Sequence, residues 1–246
     1  MANQKPFRIA ATSDIHYARD SAGKMQSLFI AASQAADVLL ICGDLTDYGH
    51  ADEAQVLAED IRRYARVPIL AVLGNHDFES GHIHEVRDIV EKAGVKVLDG
   101  ESVEIDGIGF AGVCGFGGGF GRLMLNAWGE PIIKAFVQEA VDHAMRLEQA
   151  LARLHTEKRV ALLHYAPIAA TVDGEPLEIF PFLGSSRLEG PLNRFNVVVA
   201  FHGHAHNGAA EGRTSMNVPV FNVAVPVLER SNNSAPPFRI FEIERQ

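Results

Sequence analysis

The chain has 246 residues, 47% of them hydrophobic and 22% charged, and a formal net charge of −9. That length and apolar content suffice for one sizeable core, so a single domain over residues 1–246 is expected. The acidic balance argues against a nucleic-acid groove, because no basic stripe is present to release counterions, and no apolar run reaches the roughly 18 residues that span a bilayer.

Residues 1–9 carry Lys5 and Arg8 but no apolar stretch of the secretory kind. The two cysteines, Cys42 and Cys114, each lie beside an apolar run and read as buried free thiols, so the cytoplasm is the expected compartment.

Residues 7–13 read as a first strand ending at Asp14-Ile15-His16. Residues two apart in an extended segment point to one side, so Asp14 and His16 can reach one ion; a turn aspartate and a surface histidine is the plainer alternative. A helix is expected over residues 24–36, with Met25, Leu28, Phe29, Ala32 and Ala35 at helical spacing. The second strand, residues 37–42, ends at Gly43-Asp44-Leu45-Thr46-Asp47. A second helix follows over 50–66. The third strand, residues 68–73, ends at Gly74-Asn75-His76-Asp77, where Gly74 is read as permitting a sharp turn. Three βα units in a row, each depositing acid, amide or imidazole where its strand ends, predict a parallel sheet with a site along that edge.

A third helix is expected over 81–93, with His82 and His84 on different faces and solvated. Residues 95–98, 102–105 and 108–113 read as strands, the last two joined by an Asp106-Gly107 hairpin turn. The stretch Gly115-Phe116-Gly117-Gly118-Gly119-Phe120-Gly121 matches neither a Walker loop nor a dinucleotide fingerprint. It is either a loop near the substrate, with Arg122 a phosphate contact, or a surface excursion. Pro131 begins a long helix to about residue 155, on which His143 and His155 read as polar-face residues. A strand over 159–163 ends at His164, and residues 165–195 read as irregular, with a lid over the site as one role. The strand over 196–202 is followed by Gly203-His204-Ala205-His206, whose two histidines are spaced to converge. His202 is open to either a ligand or a buried, hydrogen-bonded role. Strands over 218–223 and 238–243 finish the chain.

The ordered series Asp14-x-His16, Gly43-Asp44, Gly74-Asn75-His76-Asp77, His164 and Gly203-His204-x-His206 resembles the calcineurin-like metallophosphoesterases. The resemblance spans residues 14–206. It implies an α/β/β/α sandwich of two mixed sheets flanked by helices, and a site holding two divalent or mixed-valence transition metal ions. Asp14, His16, Asp44 and His206 would hold the first metal, and Asp44, Asn75, His164 and His204 the second, with Asp44 bridging. Oxygen and imidazole ligands without a thiolate suit Mn, Fe or Zn. The implied reaction is in-line attack on phosphorus by a metal-bridging hydroxide, with His76 the general acid and Asp77 orienting it. The substrate would be a small phosphorylated molecule, nucleotides included, and a phosphodiester in preference to a phosphomonoester or a nucleotide pyrophosphate. A non-catalytic metal-binding scaffold on the same fold would show a broken ligand set, and every ligand is present here. Oligomeric state is not indicated.

Overall fold

The computed structural model describes residues 5–231 and 236–245. Residues 1–4 of the N-terminal stretch discussed above therefore lie outside the described part. In chain order the elements are β1 (Phe7–Thr12), α1 (Gln26–Ala35), β2 (Val38–Cys42), α2 (Ala51–Tyr64), β3 (Ile69–Val72), α3 (Asn75–Phe78), α4 (Ile83–Lys92), β4 (Val95–Val97), β5 (Glu101–Ile105) and β6 (Ile108–Val113). There follow α5 (Pro131–Ala152), β7 (Lys158–Leu163), α6 (Phe180–Leu183), α7 (Glu189–Arg194), β8 (Val197–His202), β9 (Glu211–Arg213), β10 (Pro219–Asn222), α8 (Val225–Ser231) and β11 (Arg239–Ile243).

These strands make two mixed sheets, in the orders β11-β1-β2-β3-β4 and β5-β6-β7-β8-β10-β9. In the first, β1 to β4 run parallel, and β11 closes the edge antiparallel to β1. In the second, β6, β7, β8 and β10 are parallel, with antiparallel β5 and β9 at the two edges.

Strand residues divide by parity between two cores. From β2, Val38, Leu40 and Cys42 enter the layer between the sheets, where they meet Phe110, Val160, Leu162, Val199 and Phe201. Leu39 and Ile41 point the other way, onto Leu28, Phe29, Leu57, Ile61 and Val86 of the helices. Burial on both faces is why this strand is a continuous apolar run without alternation. The second sheet is covered likewise on its outer face, by Leu147, Ala150 and Leu151 of α5 and Leu192 of α7. The sequence of layers is helix, sheet, sheet, helix. No helix among the described residues is long and apolar enough to cross a membrane.

Several expectations are corrected. Gly74-Asn75-His76-Asp77 is not an open turn but enters α3 directly. Residues 165–195 are not wholly irregular: α6 and α7 lie there, with short 3-10 turns at Ala169–Thr171 and Leu177–Ile179. His143 is not on a polar face. It is only 6% exposed, because the Gly115 N–H and the Glu139 carboxylate satisfy its two ring nitrogens and allow the ring to be buried. His82, His84 and His155 are exposed, and Cys42 and Cys114 are buried and free.

The inter-sheet layer makes a direct demand on stability. Phe110 is fully buried there, its ring 6.2 Å from that of Phe7. Phe110→Ala is expected to lower unfolding free energy by about 3–5 kcal/mol, read as a shift of the urea midpoint without a change of slope.

Candidate metal centre

Both sheets present the C-terminal ends of their parallel strands to one edge, and five loops meet there. Backbone hydrogen bonds lock the first two: Asp14 N–H donates to Gly43 O, His16 N–H to Asp44 O and Tyr17 N–H to Leu45 O, at 3.0–3.1 Å. The Ser13 hydroxyl donates to Cys42 O at 2.6 Å. Within the second sheet, Gly203 N–H donates to His164 O at 3.1 Å, joining the loops after β7 and β8. Asp14, His16, Asp44 and His204 all adopt left-handed backbone, with φ of 59°, 42°, 49° and 68°. Such a conformation disfavours a residue with a Cβ by about 1–2 kcal/mol and persists only where surroundings impose it. Its recurrence at four predicted ligands ties local strain to the site.

The side chains gather into neighbouring groups. Asp14, His16 and His206 place one ligand atom each within 4.8 Å of one another, and so do Asp44, His164 and His204. Asp44 lies between them, with Oδ2 3.8 Å from His16 Nε2 and Oδ1 3.4 Å from His164 Nε2. Asn75 joins the second group through Oδ1, 2.9 Å from His164 Nε2.

Tautomers follow from the fixed acceptors. His164 Nδ1–H donates to Cys42 O at 3.0 Å, so the neutral ring turns the lone pair of Nε2 toward two oxygens, Asp44 Oδ1 and Asn75 Oδ1. Three acceptors converging without a hydrogen are mutually repulsive and call for a cation. His204 Nε2–H donates to Phe182 O at 3.1 Å, which frees Nδ1 on the site side. Both ring nitrogens of His16 are buried without a hydrogen-bond partner. A buried polar atom of that kind is costly unless something binds it. These observations fit the donor set to metal ions.

The electrostatics agree. Burial pulls His16 down to about 4 and His204 down to about 3, so both rings are neutral and ready to coordinate at pH 7. Burial, followed by the fields of Asp14 and Asp77, pushes the Asp44 carboxyl well above the ordinary range. Burial also acts to raise Asp14, but the hydrogen bond from His206 and the fields of His164 and His206 outweigh it and hold that carboxyl below its usual value. The same hydrogen bond raises His206. Crowded buried carboxylates with neutral imidazoles between them form an arrangement that positive charge relieves.

The remaining expected residues are placed differently from one another. His76 sits beside the first group, its ring edge-on to His16 with centroids 4.6 Å apart. Asp77 does not touch the His76 ring. Its carboxylate accepts from Gly74 N–H, Leu45 N–H, Thr46 N–H and the Thr46 hydroxyl at 2.6–3.2 Å, and so joins the second loop to the third. The helical turn of α3 directs that side chain inward and the histidine outward. The His76 ring is held instead by Asp47, whose carbonyl accepts from Nδ1–H at 2.7 Å. Asp47, which closes the Gly43–Asp47 motif, thus has a role that the motif did not assign to it. With His16 and His76 it makes a further group of possible ligands. Arg122 is exposed on the 3-10 turn Gly121–Leu123 and, among the described residues, shares no hydrogen bond or ion pair with the cluster. His202 takes the buried role: Nδ1–H donates to Gly203 O at 2.8 Å, and Nε2 accepts from the Thr171 hydroxyl at 2.7 Å.

Gly74 has a different purpose from the sharp turn expected of it. Its φ of −115° is open to any residue. A Cβ there would collide with the Asp44 carboxylate and Asp44 backbone nitrogen, and would stand 2.8 Å from His164 Cε1. Gly74→Ala is therefore expected to displace Asp44 and lower turnover of the metal-loaded protein by roughly 10²-fold, the scale set by a misplacement of about 1 Å. Metal titration should show weakened binding in a variant whose circular dichroism is unchanged.

Comparison with known proteins bears on this arrangement. No curated protein sequence matches the chain significantly. Among solved structures, a phosphopantetheinyl hydrolase from Mycobacterium tuberculosis superposes with TM-score 0.68 at 16% identity, over 98% of this chain and 97% of that one. A putative 5′-nucleotidase from Staphylococcus aureus gives 0.53 at 15% identity, over 88% of this chain and 48% of that one. A Thermus thermophilus protein gives 0.52 at 16% identity, over 96% and 99%. At such identities the likeness is one of fold. The profile of the calcineurin-like phosphoesterases matches residues 7–208, a range that includes all five loops. The chain belongs to the calcineurin-like phosphoesterase family.

Proposed function

We propose that the chain hydrolyses phosphodiesters at a two-metal site, with His76 as proton donor to the leaving oxygen. The observation that carries this reading is the placement of Asp44, whose two carboxylate oxygens face His16 on one side and His164 on the other. Asp14, His16, Asp44 and His206 would hold one ion, and Asp44, Asn75, His164 and His204 the other. The oxygen and imidazole donors suit Mn, Fe or Zn. Such ions supply Lewis acidity, which neutralises phosphoryl oxygens and lowers the pKa of water.

The chain's own groups account for the rest. The His76 ring is a third exposed, so it reaches solvent and a leaving group alike. Its Nδ1–H is retained by Asp47 O, which leaves Nε2 as the atom that carries a mobile proton. Asp77, through the backbone amides of Leu45, Thr46 and Gly74, holds the Asp44 loop and the His76 turn in one rigid unit. That rigidity keeps donor and phosphoryl site in register.

Charge favours a diester over a monoester. A diester brings one negative charge where a monoester brings two, and among the described residues no Lys or Arg side chain hydrogen-bonds a side chain of the ligand set. Arg230 is near, and its guanidinium donates to the His206 backbone carbonyl, not to a side chain of the ligand set. After loading with Mn²⁺, bis-p-nitrophenyl phosphate should be cleaved with a higher kcat/KM than p-nitrophenyl phosphate. The reverse order would assign a monoesterase.

His76→Ala should retain its metals and lose about 10²–10⁴-fold in turnover of alkyl esters, whose leaving groups need the proton. Esters of p-nitrophenol should lose far less. An equal loss for both would deny His76 the role of acid.

A further inference from the structure

Next to Asn75, α3, α5 and the loop after β6 enclose a cavity of about 270 Å³. That is near the lower end of small-molecule sites, roughly 300–1,000 Å³. Its walls are mainly rings: Phe78 from α3, Phe116 from the glycine-rich loop and Tyr165 from the residue after His164. The Phe116 and Tyr165 centroids are 5.9 Å apart, and the Tyr165 ring lies 4.5 Å from that of His204. One aromatic surface therefore runs from the candidate metal ligands into the cavity.

Two of the polar side chains on its wall, His143 and Glu139, are engaged with each other and with the loop backbone. His143 Nδ1 accepts from Gly115 N–H at 3.3 Å, and Nε2–H donates to Glu139 at 3.1 Å. The His143 ring also stacks near Phe116, at 6.3 Å and 12°. This pair supports the loop that carries Phe116, and neither nitrogen of the His143 ring is left to donate to an anion. No Lys or Arg lines the cavity among the described residues. An anionic group would be desolvated there without a counter-charge, whereas a flat apolar group would meet ring faces and edges.

We propose that this cavity is the subsite for an uncharged aromatic or apolar ester group of the substrate, occupied while the phosphoryl group lies at the Asn75–His164–Asp44 side. The proposal rests on the phosphoesterase reading and narrows its substrates to esters of apolar or ring-bearing alcohols. A compound whose second group is another phosphate is disfavoured. Phe78, 46% exposed in the free protein, is covered when the cavity fills. The glycine-rich loop thereby acquires a role through Phe116, whereas Arg122 points elsewhere.

Binding of phenylphosphonate and methylphosphonate to the Mn²⁺-loaded protein tests this without turnover, by thermal-shift titration and by competition. The wild type should prefer the phenyl compound by about 10- to 100-fold, the effect of burying one ring. Phe78→Ala, a change at an exposed position, and Phe116→Ala should each reduce that preference severalfold with methylphosphonate affinity and metal content unchanged. Equal affinity for both compounds in the wild type, or a preference untouched by both substitutions, would overturn the subsite. Hydrolysis of p-nitrophenyl esters is assayed alongside. Cleavage without phenyl preference sinks the subsite alone, and phenyl preference without cleavage of any ester supports the subsite and sinks the phosphoesterase reading.

Discussion

The Asp44 carboxylate is the constraint from which the arrangement of the site follows. It is 1% exposed, lies on left-handed backbone, and accepts from the His76 amide at 2.9 Å while facing imidazoles on both sides. A buried carboxylate near Asp14 and Asp77 is unfavourable unless positive charge reaches it. The two sheets bring that charge requirement to a single edge, because the C-terminal end of β2 packs against that of β7. Cys42 O, at the last residue of β2, then fixes the tautomer of His164, which follows β7. Fold and chemistry meet in that one hydrogen bond between sheets.

Much of this was legible from residues alone. The apolar runs of β1, β2, β3, β7 and β8 each end at a cluster of acid, amide or imidazole, and parallel βα units place such ends together. The resemblance carried by those motifs supplied the second sheet, which composition could not show. What stayed hidden has physical causes. The roles of Cys42 O, Asp47 O and Phe182 O belong to backbone carbonyls, which leave no mark on residue type. His143 read as solvent-facing because its helix is amphipathic, yet a loop amide 28 residues earlier made burial favourable. Gly74 resembled a turn residue, although what excludes a side chain there is the approach of Asp44 from another loop. Arg122 was attractive by charge, but its turn lies on the exposed side of the glycine-rich loop.

Asp77 shows how the division of labour differs from adjacency in sequence. Next to His76 along the chain, it is turned from it by the helical geometry of α3 and spends its oxygens on backbone amides. A fully buried carboxylate with several such donors is a strong structural weld. The His76 ring, the proposed proton donor, is consequently positioned by Asp47, from the second loop, and the carboxylate of Asp77 ties the two loops together. The apolar cavity on the other side of Asn75 gives the same rigid unit a second face, one suited to the part of a substrate that carries no charge.

The central claim is that Asp44 is shared by two ions. Metal analysis combined with electron paramagnetic resonance of the Mn²⁺-loaded protein tests it most directly. The account predicts two Mn²⁺ per chain with an exchange-coupled signal, and loss of both the coupling and at least one ion in Asp44→Asn. Saturation of the wild type at one ion, or a folded Asp44→Asn that keeps two coupled ions, would contradict it.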